Sequence, residues 1–431
     1  MNKHDYTTTD TGPHMRMFGE PRPSPDPTSF QVDNTSSQYY ESAYYLAHKS
    51  QLQPVPPPRM TQPRMDLADV VGQQAIAGIQ KAKKIVFHAV GDTGAAKVNP
   101  HQTAATALAD AESVADAMAR NIAQGGPDAA SFFFHLGDII YSFGEAQYYH
   151  DQFYEEYRNY DRPIFAIPGN HDGMVFGASS VTPQVPTLEA FLRNFCAQTP
   201  APSPDSGGLV RSVMTQPGVY FTLDAPFVSI IGLYSNVLDG PGVISSQNGH
   251  YPIGDEQVTF LTAELKRLKP DREAGNRAVI IAVHHLPVSV DSKHGGTTGL
   301  AADIDKACQA AGLWPDAVLS GHAHLYQRFS RAVNGHKIPY VTSGSGGYAA
   351  TPPKQRLVKG TTDGPYTLET PPIVEFGFLT VTIDMNDPKT LTIDFQSTMG
   401  KKQKDTVSVP LSPLPADLTR KRPAKPNELM K

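Results

Sequence analysis

Five stretches of the chain share one layout: KKIVFHAVGDTG (residues 83–94), SFFFHLGDIIY (131–141), PIFAIPGNHD (163–172), RAVIIAVHH (277–285) and DAVLSGHAH (316–324). Each opens on a short apolar run and closes on polar residues. Apolar runs of this length, rich in β-branched and aromatic residues, read as strands buried on both faces. The polar endings are Gly91-Asp92-Thr93-Gly94, Gly137-Asp138-Ile139-Ile140-Tyr141, Gly169-Asn170-His171-Asp172, His284-His285 and Gly321-His322-Ala323-His324. In α/β sheets, ligands bind beyond the carboxyl ends of the strands, so five such endings can meet at one site. A glycine beside four of the five lets the backbone turn sharply and approach a ligand closely.

The flanking pattern completes an α/β body. Leu108, Ala111, Ala115, Met118 and Ile122 share one face of a helix over 103–123, stopped by Gly125-Gly126. VYFTLDAP and FVSIIGLYS read as a strand pair, and Val258, Leu261, Leu265 and Leu268 mark a second amphipathic helix. From Ile373 to Val409 the residues alternate as strands, with turn signals at Asn386-Asp387-Pro388 and Gly400. Residues 1–65 are rich in Pro, Ser, Thr and Gln, and form a segment expected to be disordered or draped over the surface through Tyr39, Tyr40, Tyr44 and Tyr45. A catalytic body is expected over 66–410 and a Pro- and Lys-rich solvated tail over 411–431.

Composition narrows the class. Of 431 residues, 39% are hydrophobic, enough for a large core. The net charge of −5 is mixed in sign and provides no basic face for nucleic acid. Cys196 and Cys308 are too few for a disulfide framework and fit no structural zinc spacing. The opening MNKHDYTTTDTGPH has no apolar run, so no signal peptide is expected and a cytoplasmic location is the default. No stretch is long and apolar enough to span a bilayer. Oligomeric state leaves no mark in the sequence.

Two carboxylates, an amide oxygen and imidazoles at the strand ends give a mixed oxygen and nitrogen donor set, suited to Fe, Mn or Zn rather than Ca or Mg. A carboxylate such as Asp138 can bridge two cations. The competing reading is turn chemistry, since Gly-Asp and Gly-Asn pairs often punctuate strands. One pair would favour turns, whereas five clusters in register with five strands favour metal. His88 and His135 sit inside strand runs and read as hydrogen-bonded core histidines. Trp314 is expected in the core, Tyr234-Ser235-Asn236 near the pocket or capping a loop, and Thr351–Pro372 as a loop near the site.

Taken in order, GD-x-G, GD-x-x-Y, GNH(D/E), a strand-end histidine and GH-x-H resemble the signature of the purple acid phosphatases, within the calcineurin-like metallophosphoesterase superfamily. The resemblance covers roughly Ile85 to Gly347, and GHAHLYQR is similar to that family's GHxHxYER. It implies a four-layer αββα sandwich of two mixed β-sheets flanked by helices. It also implies a dinuclear centre that activates water against a phosphate monoester. Asp92, Asp138, Tyr141 and His324 would hold Fe(III), while Asp138, Asn170, His284 and His322 would hold a divalent Fe, Zn or Mn. Most of the superfamily opens on Asp-x-His; here Asp92-Thr93-Gly94 lacks that histidine, and Tyr141 would supply a tyrosinate instead. His171 and His294 would contact substrate, the first assisting the leaving group or orienting the ester.

The His284–His285 pair fits two alignments, with His284 favoured as ligand and His285 then left beside the substrate. Gln327 departs from the motif's glutamate, and Arg328 reads equally as a motif arginine or a structural ion pair. Plant-type relatives carry an N-terminal β-sandwich domain, for which the segment before residue 65 is too short and proline-rich. A phosphodiesterase or nucleotide-cleaving enzyme on the same core is the alternative; a non-catalytic metal-binding protein is a more distant one.

Overall fold

The computed structural model describes residues 54–94, 104–141, 144–173, 188–235, 242–249, 253–291, 294–353 and 358–414. The four N-terminal tyrosines, Asn236 and the tail from 415 onward lie outside the described residues, as do 354–357 of the Thr351–Pro372 loop.

Fifteen strands among the described residues form two mixed sheets. The nine-stranded sheet contains β1 (Arg64–Asp66), β5 (Phe221–Ala225), β6 (Val228–Leu233), β7 (Ala278–Val283), β8 (Ala317–Ser320), β10 (His336–Ser343), β9 (Tyr326–Val333), β12 (Tyr366–Leu368) and β11 (Thr362–Asp363), in that spatial order. The six-stranded sheet runs β15 (Lys404–Pro410), β14 (Thr390–Ser397), β13 (Gly377–Asp384), β2 (Lys84–Val90), β3 (Phe133–His135) and β4 (Ile164–Ala166). β2, β3 and β4 are parallel to one another, as are β6, β7, β8 and β10. Their carboxyl ends therefore lie along one edge of each sheet, and the two edges are tied by the Gly91 N–H donating to the Ser343 carbonyl at 3.0 Å.

Period-two alternation sorts the strand side chains between layers. Phe87, Phe134, Leu379, Val381 and Ile393 face Leu223, Ile230, Ile280, Leu319 and Val341 across the inter-sheet core. Val86, Val90 and Phe133 point the other way, onto Val114, Ala115, Met118 and Ile122 of α2 (Ala104–Ala123). Behind the larger sheet, Ile231, Val279, Ile281 and Val318 receive α4 (Glu256–Glu273) and α5 (Thr298–Ala311). The order is helices, sheet, sheet, helices: the αββα sandwich. Two others, α1 (Ala68–Ala82) and α3 (Glu189–Phe195), complete the described α-helices.

The packed body extends slightly past 66 and 410. β1 pairs with β5 from Arg64, Arg59 donates to the carbonyls of Ala197, Thr215 and Gln216, and Leu411 is fully buried. Trp314 is only partly buried, and the Arg331 guanidinium stands over its ring at 5.0 Å. Arg328 forms a structural ion pair: its Nε and Nη2 donate to Asp405 of β15 at 2.6 and 3.0 Å, clasping one sheet to the other. No helix among the described residues is long and apolar enough to cross a membrane.

Candidate metal centre

Each strand hands its polar ending to the same edge. Asp92 follows β2, Asp138 and Tyr141 follow β3, Asn170 and His171 follow β4, His284 follows β7, and His322 and His324 follow β8. Apart from His171, these side chains are buried. Asp92, Asp138 and His322 adopt left-handed backbone, with φ of +59°, +56° and +67°. Such conformations cost non-glycine residues energy and persist where the surroundings over-determine them. Gly137, at φ +96°, could not be any other residue: a Cβ there would stand 2.6 Å from His284 Nδ1.

The hydrogen-bond geometry shows what the pocket demands. The Tyr141 hydroxyl lies 3.1 Å from Asp92 Oδ1 and 3.0 Å from Asp138 Oδ2, so two carboxylates compete for one phenolic proton. His284 Nδ1 donates to the Leu136 carbonyl at 2.8 Å, which puts the neutral ring's lone pair on Nε2. That lone pair faces two acceptors, Asn170 Oδ1 at 3.0 Å and Asp138 Oδ2 at 3.4 Å. His324 repeats the arrangement: Nδ1 donates to the Ala349 carbonyl at 2.9 Å, and Nε2 stands 3.4 Å from Asp92 Oδ1. An imidazole anchored by a backbone carbonyl with its other nitrogen aimed at carboxylates is the arrangement typical of a metal-ligating histidine. His322 Nδ1 lies 2.9 Å from the same Asn170 oxygen, and donor atoms of Asp138, His284 and His322 fall within 4.8 Å of one another.

Electrostatics point the same way. Burial, then the charges of Asp138 and Asp92, drives the Tyr141 phenol well above its ordinary range. Burial would lower His284, but the Asp138 carboxylate overrides it and lifts the imidazole to about 9. His322 is held well below its usual value by burial and by its histidine neighbours. A cation between the two carboxylates would engage both of them, the tyrosine oxygen and the imidazoles at once.

Of the expected contacts to substrate, the His171 ring stacks obliquely on Tyr141 at 4.4 Å, and its backbone N–H donates to Asp138 Oδ1 at 2.8 Å. His294 packs against His322 at 4.3 Å and stands 5.7 Å from His324. His285 turns away from His284, with rings at 90°. It packs on His322 at 4.2 Å and meets Ser235 Oγ through Nδ1 at 3.0 Å. Ser235 thus borders the pocket, and Thr351 opens its loop beside the site by donating to the His324 carbonyl. His135 is a core histidine: Nδ1 accepts the Gly137 N–H and Nε2 faces Thr93 Oγ1 at 2.7 Å.

Three supporting residues escaped the sequence reading. The Asp172 carboxylate accepts the N–H groups of Gly169, Ile139 and Ile140 at 2.8 to 3.3 Å, stapling the Asn170 turn to the Asp138 turn. Gln152, in a π-helical turn over His150–Tyr154, grips both the N–H and the carbonyl of Tyr141. Tyr348 lies flat on Tyr141, ring centroids 3.5 Å apart and planes 6° apart. Asp172 stood in view within the GNHD motif; for Gln152 and Tyr348 no local pattern gives a sign.

Residues 85–326 match the calcineurin-like phosphoesterase family. No curated protein matches the sequence. Among solved structures, the fold is similar to a purple acid phosphatase from yellow lupin (Lupinus luteus) seeds, with a TM-score of 0.52, 15% identity and coverage of 76% of this chain. This chain spans 54% of the lupin enzyme's length. It is also similar to GAP50, the anchor in the inner membrane complex of Plasmodium, with a TM-score of 0.50, 14% identity, and coverage of 76% of this chain and 89% of that one. At these identities the likeness is one of fold.

Proposed function

The chain belongs to the calcineurin-like phosphoesterase family, and on that premise we propose that it hydrolyses phosphate monoesters at a dinuclear centre of purple acid phosphatase type. One set of side chains, Asp92, Asp138, Tyr141 and His324, holds Fe(III). The other, Asp138, Asn170, His284 and His322, holds divalent Fe, Zn or Mn. The observation that carries this reading is the position of Asp138 Oδ2, 3.0 Å from Tyr141 Oη and 3.4 Å from His284 Nε2, between the two sets. The phenol fits iron: a trivalent cation at its oxygen would favour the ionised form and loss of the proton to solvent, against the two carboxylates that oppose it.

Two bound cations lower the pKa of water towards neutrality and offset charge developing on the phosphoryl oxygens. The chain's own residues do the rest. Asn170 and Asp138 fix the spacing of the two halves through the turns that Asp172 staples together. His171, partly exposed at the rim, is placed to orient the ester and supply a proton to the leaving oxygen. His285 and His294 line the His322 side, where their ring nitrogens would face the phosphoryl group.

Hydrolysis of p-nitrophenyl phosphate beside bis-p-nitrophenyl phosphate, by the purified full-length protein, tests the reading. Faster cleavage of the monoester is expected. Preference for the diester would replace monoesterase by phosphodiesterase, and turnover of neither would overturn the hydrolase assignment for these ester classes.

A further inference from the structure

Gln327 stands where the motif it resembles has glutamate, and nothing above gives it a role. It is fully buried at the start of β9. Its Oε1 accepts the Val290 N–H at 3.0 Å, while Nε2 donates to Ser289 Oγ at 2.8 Å. Ser289 Oγ also accepts the Asp291 N–H at 3.2 Å, so both oxygen lone pairs are engaged and the hydroxyl proton goes to Asp291 Oδ1 at 2.6 Å. Asp291 is itself fully buried. It accepts the backbone N–H groups of His294 on Oδ2 at 2.8 Å and of Gly295 on Oδ1 at 3.0 Å, and Oδ2 lies 3.1 Å from His294 Nδ1. Donation therefore runs one way, from Gln327 through Ser289 to Asp291, whose other oxygen faces the imidazole that packs against His322.

We propose that Gln327, Ser289 and Asp291 form a buried relay that fixes the ring orientation and Nδ1–H tautomer of His294, making them positioning residues for its contact with the phosphoester. This rests on the hydrolase reading above. The residue types explain the departure at 327. An amide both accepts from Val290 and donates to Ser289, whereas a carboxylate only accepts. With glutamate there, the single Ser289 proton would have to serve two carboxylates, and Asp291 would lose its shortest hydrogen bond. A second-layer partner that sets the tautomer of a working histidine is a recurring device.

Gln327→Glu and Asp291→Asn in the full-length protein, each alone and combined with His294→Ala, test the relay. Each single change is expected to lower kcat/KM about tenfold, the size typical of second-layer partners. In the His294→Ala background the same changes should cost less than about twofold, because the relay then has nothing to position. Losses that persist undiminished in that background would overturn the proposal, since they would mark a general structural role. A second readout does not depend on turnover: 15N NMR of His294 in the metal-stripped full-length chain. A protonated Nδ1 in the parent that shifts towards the other tautomer in Asp291→Asn supports the relay; an unchanged signature refutes it. Failure of the parent to hydrolyse any phosphoester would sink the hydrolase reading alone, and the NMR comparison would still decide the relay.

Discussion

Strand β8 carries a buried polar cluster at each end, and the two are built on opposite terms. At its amino end, Asp316 takes Arg272 Nε on both oxygens at 2.7 and 2.8 Å and the Val279 N–H at 2.8 Å, while Arg272 Nη1 reaches the Ser412 carbonyl. Charge meets charge, and neither residue adopts left-handed backbone. At its carboxyl end, His322 and His324 join two carboxylates that share one phenolic proton and imidazole lone pairs aimed at oxygen acceptors. Three residues there are in left-handed backbone. The first cluster is complete within the chain and serves the fold. The second gathers carboxylates, a phenol and imidazoles in one buried place, and the proposed function rests on it.

That contrast breaks most sharply at Asp138. Replacing it by Asn should cost about a thousandfold or more in kcat and release bound metal, because the carboxylate common to both sets is lost. Asp316→Ala should do the reverse: about 3–5 kcal/mol of stability lost in urea titration, with kcat unchanged, because Arg272 is left as an uncompensated buried charge.

Histidines sharpen the comparison. His88, within β2, has both ring nitrogens partnered, by Tyr160 Oη at 3.1 Å and Asn121 Oδ1 at 3.0 Å, and burial lowers its pKa to about 4. Its folded value lies below its unfolded one, so its contribution is present above the unfolded pKa and is lost as pH falls through the folded one. Between about pH 6.5 and 4 this should remove roughly 3 kcal/mol, and urea midpoints for His88→Gln should fall less steeply over that window. His284, at the strand end, is pushed the other way, to about 9. The smallest change in stability is expected for Tyr141→Phe. The fold should persist with a melting temperature within a few degrees of the parent, while any visible charge-transfer band disappears. A variant that keeps its colour would remove Tyr141 from the iron set.

Most of this site could be read from the sequence because each donor lies within about six residues of the strand that delivers it. Asp92, Asp138, Asn170 and His322 are announced by a glycine and an apolar run, and β-strand ends are where such runs stop. The pair His284–His285 stayed open for a physical reason: beyond the last strand residue, alternation no longer says which ring points inward. Geometry separates them through the Leu136 carbonyl, 148 residues away in sequence, which anchors His284. Separation in sequence likewise hid the Tyr348 plate on Tyr141, while the Gln152 grip, 11 residues from Tyr141, sits in a π-helical turn that no periodicity announces. These are contacts between segments, and no local pattern encodes them. Gln327 was visible as a departure from a motif, but its role needed Ser289 and Asp291 placed beside it.

Metal per chain, measured by mass spectrometry on the purified full-length protein and on Asp138→Asn, bears most directly on the cluster at the carboxyl end. Two ions per chain in the parent, falling to one or none in the variant together with turnover, is the expected result. A parent that hydrolyses p-nitrophenyl phosphate at full rate with fewer than two ions bound would contradict the two-cation centre.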